Sequence, residues 1–367
     1  MKFTTNRESL LRSLQLVTGV VERRQTLPVL ANLLVVARDG SLSMTGTDLE
    51  VELVATETDV DIQQEGEATI PARKLADIWR SLPEEAKVTV EVAGDRATVR
   101  SGRSRFTLAT LPAADFPKVE SGADDAEFKV SQTDLQGLLD QVSFSMAQQD
   151  VRYFLNGMLL EIAPQHLRTV ATDGHRLAMS TLDGAGAGTE RVQAIVPRKG
   201  VLELSRLLDD ADEEVLMQLG ANHLRVTKGP YTLTTKLVDG KFPDYEKVVP
   251  KDLGRTITGD RASLKQAFQR ASILSNEKYR GVRMIIEGEQ MTIQANNPEQ
   301  EEAEEEVAVA YDGERMEIGF NVSYLQDVLN VLDTEQIQLS VSDANSSALI
   351  EGMGKDDAVY VVMPMRL

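Results

Sequence analysis

Phe128-Lys129-Val130-Ser131, a helix pattern on Leu135, Leu138, Leu139 and Val142, a strand-like run from Tyr153 to Ile162, a second from Leu167 to Ala171, and the close Thr172-Asp173-Gly174-His175-Arg176-Leu177: this order within residues 128–180 is written three times in the chain. Towards the N-terminus it reads Phe3-Thr4-Thr5-Asn6, Leu10/Leu14/Val17, Leu30 to Ala37, Leu42 to Gly46 and Thr47-Asp48. Towards the C-terminus it reads Ile257 to Asp260, Leu264/Phe268/Ala271, Val282 to Ile286, Met291 to Ala295 and Asn296-Asn297. The second half of the unit repeats as well. Ile70-Pro71-Ala72-Arg73-Lys74 answers Val196-Pro197-Arg198-Lys199, and Leu111 to Pro117 answers Leu237 to Pro243. A solenoid repeats every 20–50 residues or so; this period is that of a whole domain, about 100–150 residues. The expected organisation is three tandem domains, 1–125, 126–253 and 254–367.

Each unit reads as strand, helix, two or three strands, and then the same again. The stripes Leu75/Ile78/Trp79/Leu82, Leu135/Leu138/Leu139/Val142 and Leu325/Val328/Leu329/Leu332 follow i, i+3, i+4, i+7, one buried face each. Pro71 and Pro197 stand just before their helices, where a missing N–H costs nothing. Short alternating runs such as Lys87 to Val92 and Gln336 to Val341 predict strands. The fold class is α+β, with two helices on antiparallel sheet in each domain and six helices in all.

The 367 residues include no cysteine, which excludes a disulfide framework and a zinc–thiolate site. The start lacks the apolar segment of a signal peptide, and no uncharged run reaches the ~20 residues of a membrane helix. A soluble, cytoplasmic protein is expected, with no membrane partner. The formal charge of −19 argues by itself against nucleic acid, but a basic face can bind phosphates whatever the total. The helix patterns carry Arg7, Arg12, Arg73, Lys74, Arg80, Arg198, Lys199, Arg206, Arg261, Lys265 and Arg270, whereas acids gather in strands and loops. Solvation of ordinary helix faces accounts for part of that contrast. Arg96, Arg100, Arg103 and Arg105 crowd one strand pair, with Phe106 and Leu108 among them; Glu299, Glu301, Glu302, Glu304, Glu305 and Glu306 crowd another edge. Such opposite edges suit head-to-tail pairing.

Catalytic patterns are missing. Asp173 and His175 are the nearest approach to a pair, but no Gly-x-Ser-x-Gly nucleophile accompanies them. Asp48 and Asn297 hold the equivalent place in the other copies, so the aspartate reads as closing a turn. His166, His175 and His223 form no metal-binding spacing. Gly184-Ala185-Gly186-Ala187-Gly188 lacks the third glycine of a dinucleotide fingerprint and reads as a loop. No cofactor, no metal and no enzymatic activity are expected.

Several stretches are shared with one family: Thr26-Leu27-Pro28, Gly46 to Glu50, Val99 to Phe106, Gln149 to Tyr153, Leu155 to Met158, Ala171 to Leu177, Val196 to Gly200, Phe242 to Tyr245, Asn296 to Glu302 and the tail Tyr360 to Leu367. Over its whole length the chain resembles the bacterial sliding clamps, the beta subunits of DNA polymerase III. The resemblance implies three copies of the DNA-clamp (processivity-fold) domain, and a ring-shaped head-to-tail homodimer that encloses duplex DNA and tethers the polymerase. Twelve helices packed about 8–10 Å apart close a circle of roughly 110 Å circumference, which leaves an opening of roughly 25 Å once a helix width of about 10 Å is subtracted. Implied partners are the clamp loader, the replicative and other polymerases, ligase and mismatch-repair proteins, all through short peptides.

Carried over by position, the implied DNA contacts are Arg24, Arg73, Gln149, Tyr153 and Phe154, the last often tyrosine in the family. The implied peptide pocket comprises Leu155, Thr172, Gly174, His175, Arg176, Leu177, Pro243, Lys247, Val248, Ser347, Val361, Val362, Met363, Pro364, Met365, Arg366 and Leu367. Lys247 stands where arginine is common, and so lacks a planar fork. The expected dimer interface packs Phe106 and Leu108 against Ile273 and Leu274 of a second copy, flanked by Arg96, Arg103 and Arg105 facing Glu299, Glu301 and Glu304. From the residues alone, an acidic three-domain scaffold assembling through its Arg and Glu edges remains the alternative.

Overall fold

The computed structural model describes residues 1–22, 27–117, 124–185, 190–209, 211, 213–251, 253–355 and 357–366. Among them are six α-helices: α1 (Arg7–Val20), α2 (Ala72–Ser81), α3 (Gln132–Asp140), α4 (Arg198–Leu207), α5 (Arg261–Ala271) and α6 (Val322–Val331). Their apolar stripes are buried as the spacing predicts. Leu10, Leu14 and Val17 of α1 lie in the core, as do Leu264 and Phe268 of α5. Asp260 and Asn321 cap α5 and α6 by accepting from the Ser263 and Ser323 amides. Among the described residues no helix is long and apolar enough to cross a membrane.

Two compact units make up the chain. The first comprises Met1–Gln136 and Lys199–Leu237, the second Gly137–Arg198 and Val238–Leu367. The middle repeat is therefore divided between them. In the first unit, Val51–Glu57 ends the leading sheet of repeat one and pairs antiparallel with Tyr231–Lys236, Ala55 opposite Tyr231. Eight strands become one continuous sheet through this join. In the second unit, Arg176–Asp183 pairs with Ala358–Val362, Arg176 opposite Val362, inside a sheet of twelve strands. A third, five-stranded sheet in the first unit ends on the strand Ser104–Ala109.

Two details of the sequence reading change. The strand expected from Tyr153 begins only at Gly157, and Tyr153–Leu155 is a 3-10 turn. The Asp150 and Asn156 side chains cause this: the Asp150 amide donates to Asn156 Oδ1 (2.9 Å), Asn156 Nδ2 donates to the Asp150 carbonyl (2.9 Å), and the Arg152 amide donates to Asp150 Oδ1 (2.8 Å). Local bonds of this kind compete with a sheet ladder for the same backbone groups. The second change concerns the basic helix faces, several of whose cations are committed to the fold. Arg7 Nε donates to the Trp79 carbonyl (3.1 Å), and Arg261 Nη1 to the Leu329 carbonyl (3.1 Å). Both answer carbonyls in the last turn of the neighbouring helix, where the intrahelical donors run out; the Trp79 carbonyl also accepts from the Leu82 amide (3.4 Å).

Candidate functional site

The turn Thr172–Leu177 is built by its own side chains. Thr172 Oγ1 donates to the Arg176 carbonyl (2.6 Å) and accepts from the Gly174 amide (3.1 Å), while Asp173 Oδ1 accepts from the His175 and Arg176 amides (2.9 and 3.1 Å). Thr47 and Asp48 make the same four bonds with Val51, Leu49 and Glu50. In the third copy Asn297 Oδ1 accepts from the Glu301 amide (2.9 Å). Asp173 therefore closes a turn, and its bond to His175 is with the backbone amide. The central residue needs a positive φ, 90° at Gly174 and 79° at Leu49. A Cβ at Gly174 would come within 2.8 Å of the Arg152 guanidinium, so glycine is the residue that fits beside it.

The C-terminal strand Ala358–Val362 runs beside this turn, and the tail continues the contact. The Met363 amide donates to the His175 carbonyl (2.9 Å), and Met365 bridges to Gly319 (2.8 Å). Leu177, Val361, Phe242 and Tyr245 share one apolar cluster with Leu159, Val170, Ile195 and Leu349, and Phe154 packs against it. Val362 and Leu155 are buried, Thr172 nearly so. Along the rim stand Val248, 44% exposed, and Met363, 47% exposed, with His175, Lys247 and Arg366 exposed and Pro243, Ser347, Pro364 and Met365 half-buried. Lys247 pairs with Asp244 (2.7 Å). The surface thus combines a buried aliphatic floor, flexible methionine and a polar border, a composition that accepts varied apolar side chains. Leu367 lies outside the described residues.

Arg176 ties this surface together. Its guanidinium lies over the Tyr324 ring at 4.5 Å and the Phe144 ring at 5.2 Å. It also donates to Asp173 (3.1 Å), Asp327 (2.5 Å) and the Phe144 carbonyl (2.8 Å). Tyr324 and Asp327 on α6, and Phe144, are residues the sequence reading did not include. Separations of 151 and 32 residues leave no local pattern that could have revealed the Asp327 and Phe144 contacts.

Of the implied DNA contacts, Arg24 lies outside the described residues. Arg73 is exposed on α2 and donates to the Val21 carbonyl (3.1 Å). Gln149, exposed with a φ of 57°, stands just before the Asp150–Asn156 loop and Tyr153, 57% exposed, on it, where the Tyr153 and Phe154 rings meet edge to face at 5.8 Å. The expected interface residues occupy two places. Arg103, Arg105, Phe106 and Leu108 stand on or beside the edge strand Ser104–Ala109, and Arg96 on the strand next to it. Ile273, 76% exposed, and Leu274 form a 3-10 turn after α5. Glu299, Glu301 and Glu304 are exposed at and before the strand Glu302–Ala310, where Glu301 accepts from Asn297 (2.6 Å) and Glu304 from Gln294 (2.7 Å).

Comparison with known proteins gives a uniform result. The model of the DNA polymerase III beta subunit N-terminal domain matches residues 1–120, that of the central domain 129–244, and that of the C-terminal domain 246–366. The chain is 58% identical over 367 residues to the beta sliding clamp of Pseudomonas aeruginosa PAO1, and 52% identical to that of Escherichia coli K12, covering all of each. It superposes on the crystal structure of the P. aeruginosa DNA polymerase III subunit beta with a TM-score of 0.96 at 57% identity, covering both chains fully. A P. aeruginosa sliding clamp bound to griselimycin matches equally well, with a TM-score of 0.96.

Proposed function

The chain belongs to the family of bacterial beta sliding clamps, the beta subunits of DNA polymerase III, and from that premise we propose that two copies close head to tail into a ring around duplex DNA. The ring holds the replicative polymerase to its template and does no chemistry itself. One observation carries this reading: a junction made twice within the chain, with its two halves left over. Val51–Glu57 takes Tyr231–Lys236 as neighbour, and Arg176–Asp183 takes Ala358–Val362. By the repeat, the third pair is Glu302–Ala310 with Ser104–Ala109. Among the described residues Ser104–Ala109 is an open sheet edge, and on its outer side Glu302–Ala310 meets a strand only at Val309 and Ala310. An unpaired strand edge is a template for another chain. A second copy supplies the missing partner, and copying the register of the two internal junctions puts Leu108 opposite Glu301 and Ser104 opposite Glu305.

The domains of this ring run from 1 to 125, 126 to 253 and 254 to 367. Arg24, Arg73, Gln149, Tyr153 and Phe154 meet the duplex through phosphates and without regard to sequence, as sliding requires. The surface around Leu177, Val361 and Met363 receives short peptides carrying a glutamine and a Leu/Phe pair. Through it the clamp loader, the replicative and other polymerases, ligase and mismatch-repair proteins compete in the cytoplasm.

The test is topological. Protein loaded by a clamp loader onto nicked circular DNA should stay bound through gel filtration, and should be lost once the circle is linearised. Equal retention on both forms, or on neither, would reject the ring; loss from both would favour the acidic scaffold.

A further inference from the structure

Beneath the peptide-binding surface lies a polar network that its floor does not require. Glu161, on the strand Gly157–Ile162, is 1% exposed among apolar strands. Its carboxylate is met by His166 Nε2 (2.9 Å), Gln193 Nε2 (2.7 Å), Arg191 Nη2 (2.6 Å) and the Tyr245 hydroxyl (3.0 Å), with Arg168 Nη1 at 3.7 Å. The Tyr245 hydroxyl also accepts from Arg168 Nη1 (3.0 Å) and Arg191 Nη2 (3.1 Å). One donor and two acceptor positions are thereby all in use, the full capacity of a hydroxyl. Burial pushes the Glu161 carboxyl up, but the hydrogen bonds from His166, Gln193, Arg191 and Tyr245 outweigh it and hold it down at about 2.

Replacing a buried ion cluster by well-packed apolar side chains is often neutral or stabilising, so stability alone gives no account of this one. Its position does. Tyr245 opens the 3-10 turn Tyr245–Lys247, and its carbonyl accepts from the Val248 and Val249 amides (3.0 and 3.2 Å). Its ring, 3% exposed, packs in the cluster that contains Leu177 and Val361. Pro243, Lys247 and Val248, one border of the peptide surface, therefore flank a side chain whose tip is held from three directions, between the apolar contacts of Phe242 and Val249 with the same cluster.

We infer that Glu161 is a positioning residue for peptide binding, holding Tyr245 so that the 243–249 segment stands preformed against the Leu177–Val361 floor. The inference rests on the peptide-site reading above. Without the hydroxyl's anchor the segment opens locally, and a bound peptide loses one wall. A preformed wall lowers the ordering cost of binding, and its loss shows chiefly in the dissociation rate.

The test measures a fluorescein-labelled peptide, carrying a glutamine followed by a Leu/Phe pair, on the full-length dimer and three variants. Tyr245→Phe removes the hydroxyl, and Glu161→Gln removes the charge at constant shape. Thr169→Val deletes an equally buried hydrogen bond, to the Leu138 carbonyl (2.9 Å), from the opposite face of the strand that carries Arg168. The first two should weaken binding about tenfold, the equivalent of one hydrogen bond to a charged group, through faster dissociation. Amide exchange at 247–249 should quicken ahead of the sheet amides. Thr169→Val should bind as the native chain does. If Tyr245→Phe and Glu161→Gln bind like the native protein, or if all three weaken alike, the inference fails and the peptide site stands. Should Glu161→Gln not fold, Tyr245→Phe with its exchange profile decides alone. A native dimer that does not take up the peptide refutes the peptide site itself.

Discussion

Changing Ile273 and Leu274 to alanine should take the two-chain ring apart while leaving each chain folded. Ile273 is 76% exposed in the single chain, so nearly all of its burial is available to a partner; Leu274 is half-buried already. Burial of an aliphatic side chain is worth roughly 1.5–3 kcal/mol, which gives about 2 kcal/mol for Ile273 and about 1 kcal/mol for the remainder of Leu274. A head-to-tail pair contains two such junctions, so the loss doubles to about 6 kcal/mol, or about ten-thousandfold in the dissociation constant. Sedimentation velocity from about 10 nM to about 10 µM should show native dimer throughout and variant monomer over most of the range. The thermal midpoint should change little, because Ile273 has few neighbours inside the chain to lose. A variant that dimerises within tenfold of the native protein would refute both the pairing and the register derived for it. By contrast, reversing Arg105 alone should act mainly on association rate and salt dependence, as rim charges do.

Arg73→Ala should weaken binding to short duplexes irrespective of sequence and lower the slope of log affinity against log salt by about 0.9, one phosphate contact; an unchanged slope would take Arg73 off the DNA. Removing residues 363–367 deletes the Met363–His175 and Met365–Gly319 bonds but spares the strand Ala358–Val362. That truncation should abolish peptide uptake and leave a folded dimer by gel filtration; undiminished peptide affinity would move the pocket elsewhere. Glu161 sets an acid limit. Its folded value of about 2 lies below its ordinary 4.5, so its contribution is complete above about pH 4.5 and falls away as pH drops towards 2, up to about 3 kcal/mol. Urea unfolding of the native chain and of Glu161→Gln across that window should converge as pH falls; parallel curves would remove Glu161 from the acid response.

Much of this protein is local pattern and therefore legible. The helix stripes such as Leu10/Leu14/Val17 and the turn at Asp173 each depend on residues a few positions apart, whose spacing maps directly onto a helical or extended backbone, and the three copies show as the recurrence of that local pattern. The residues proposed to receive peptides came instead from likeness to a family, since nothing in their local spacing marks them. Tertiary structure alone decided how the middle repeat is shared between two compact units, and that Tyr153 turns where a strand was expected. It alone also decided that Arg176 is held between Phe144 and Tyr324, and that Glu161 and Tyr245, 84 residues apart, meet beneath the surface. A charge cluster of that kind is stable only when several strands converge on one point and exclude water together. Its members are divided among residues 161–168, 191–193 and 245, so the chain must fold before the carboxylate, the guanidinium groups and the hydroxyl acquire a common address.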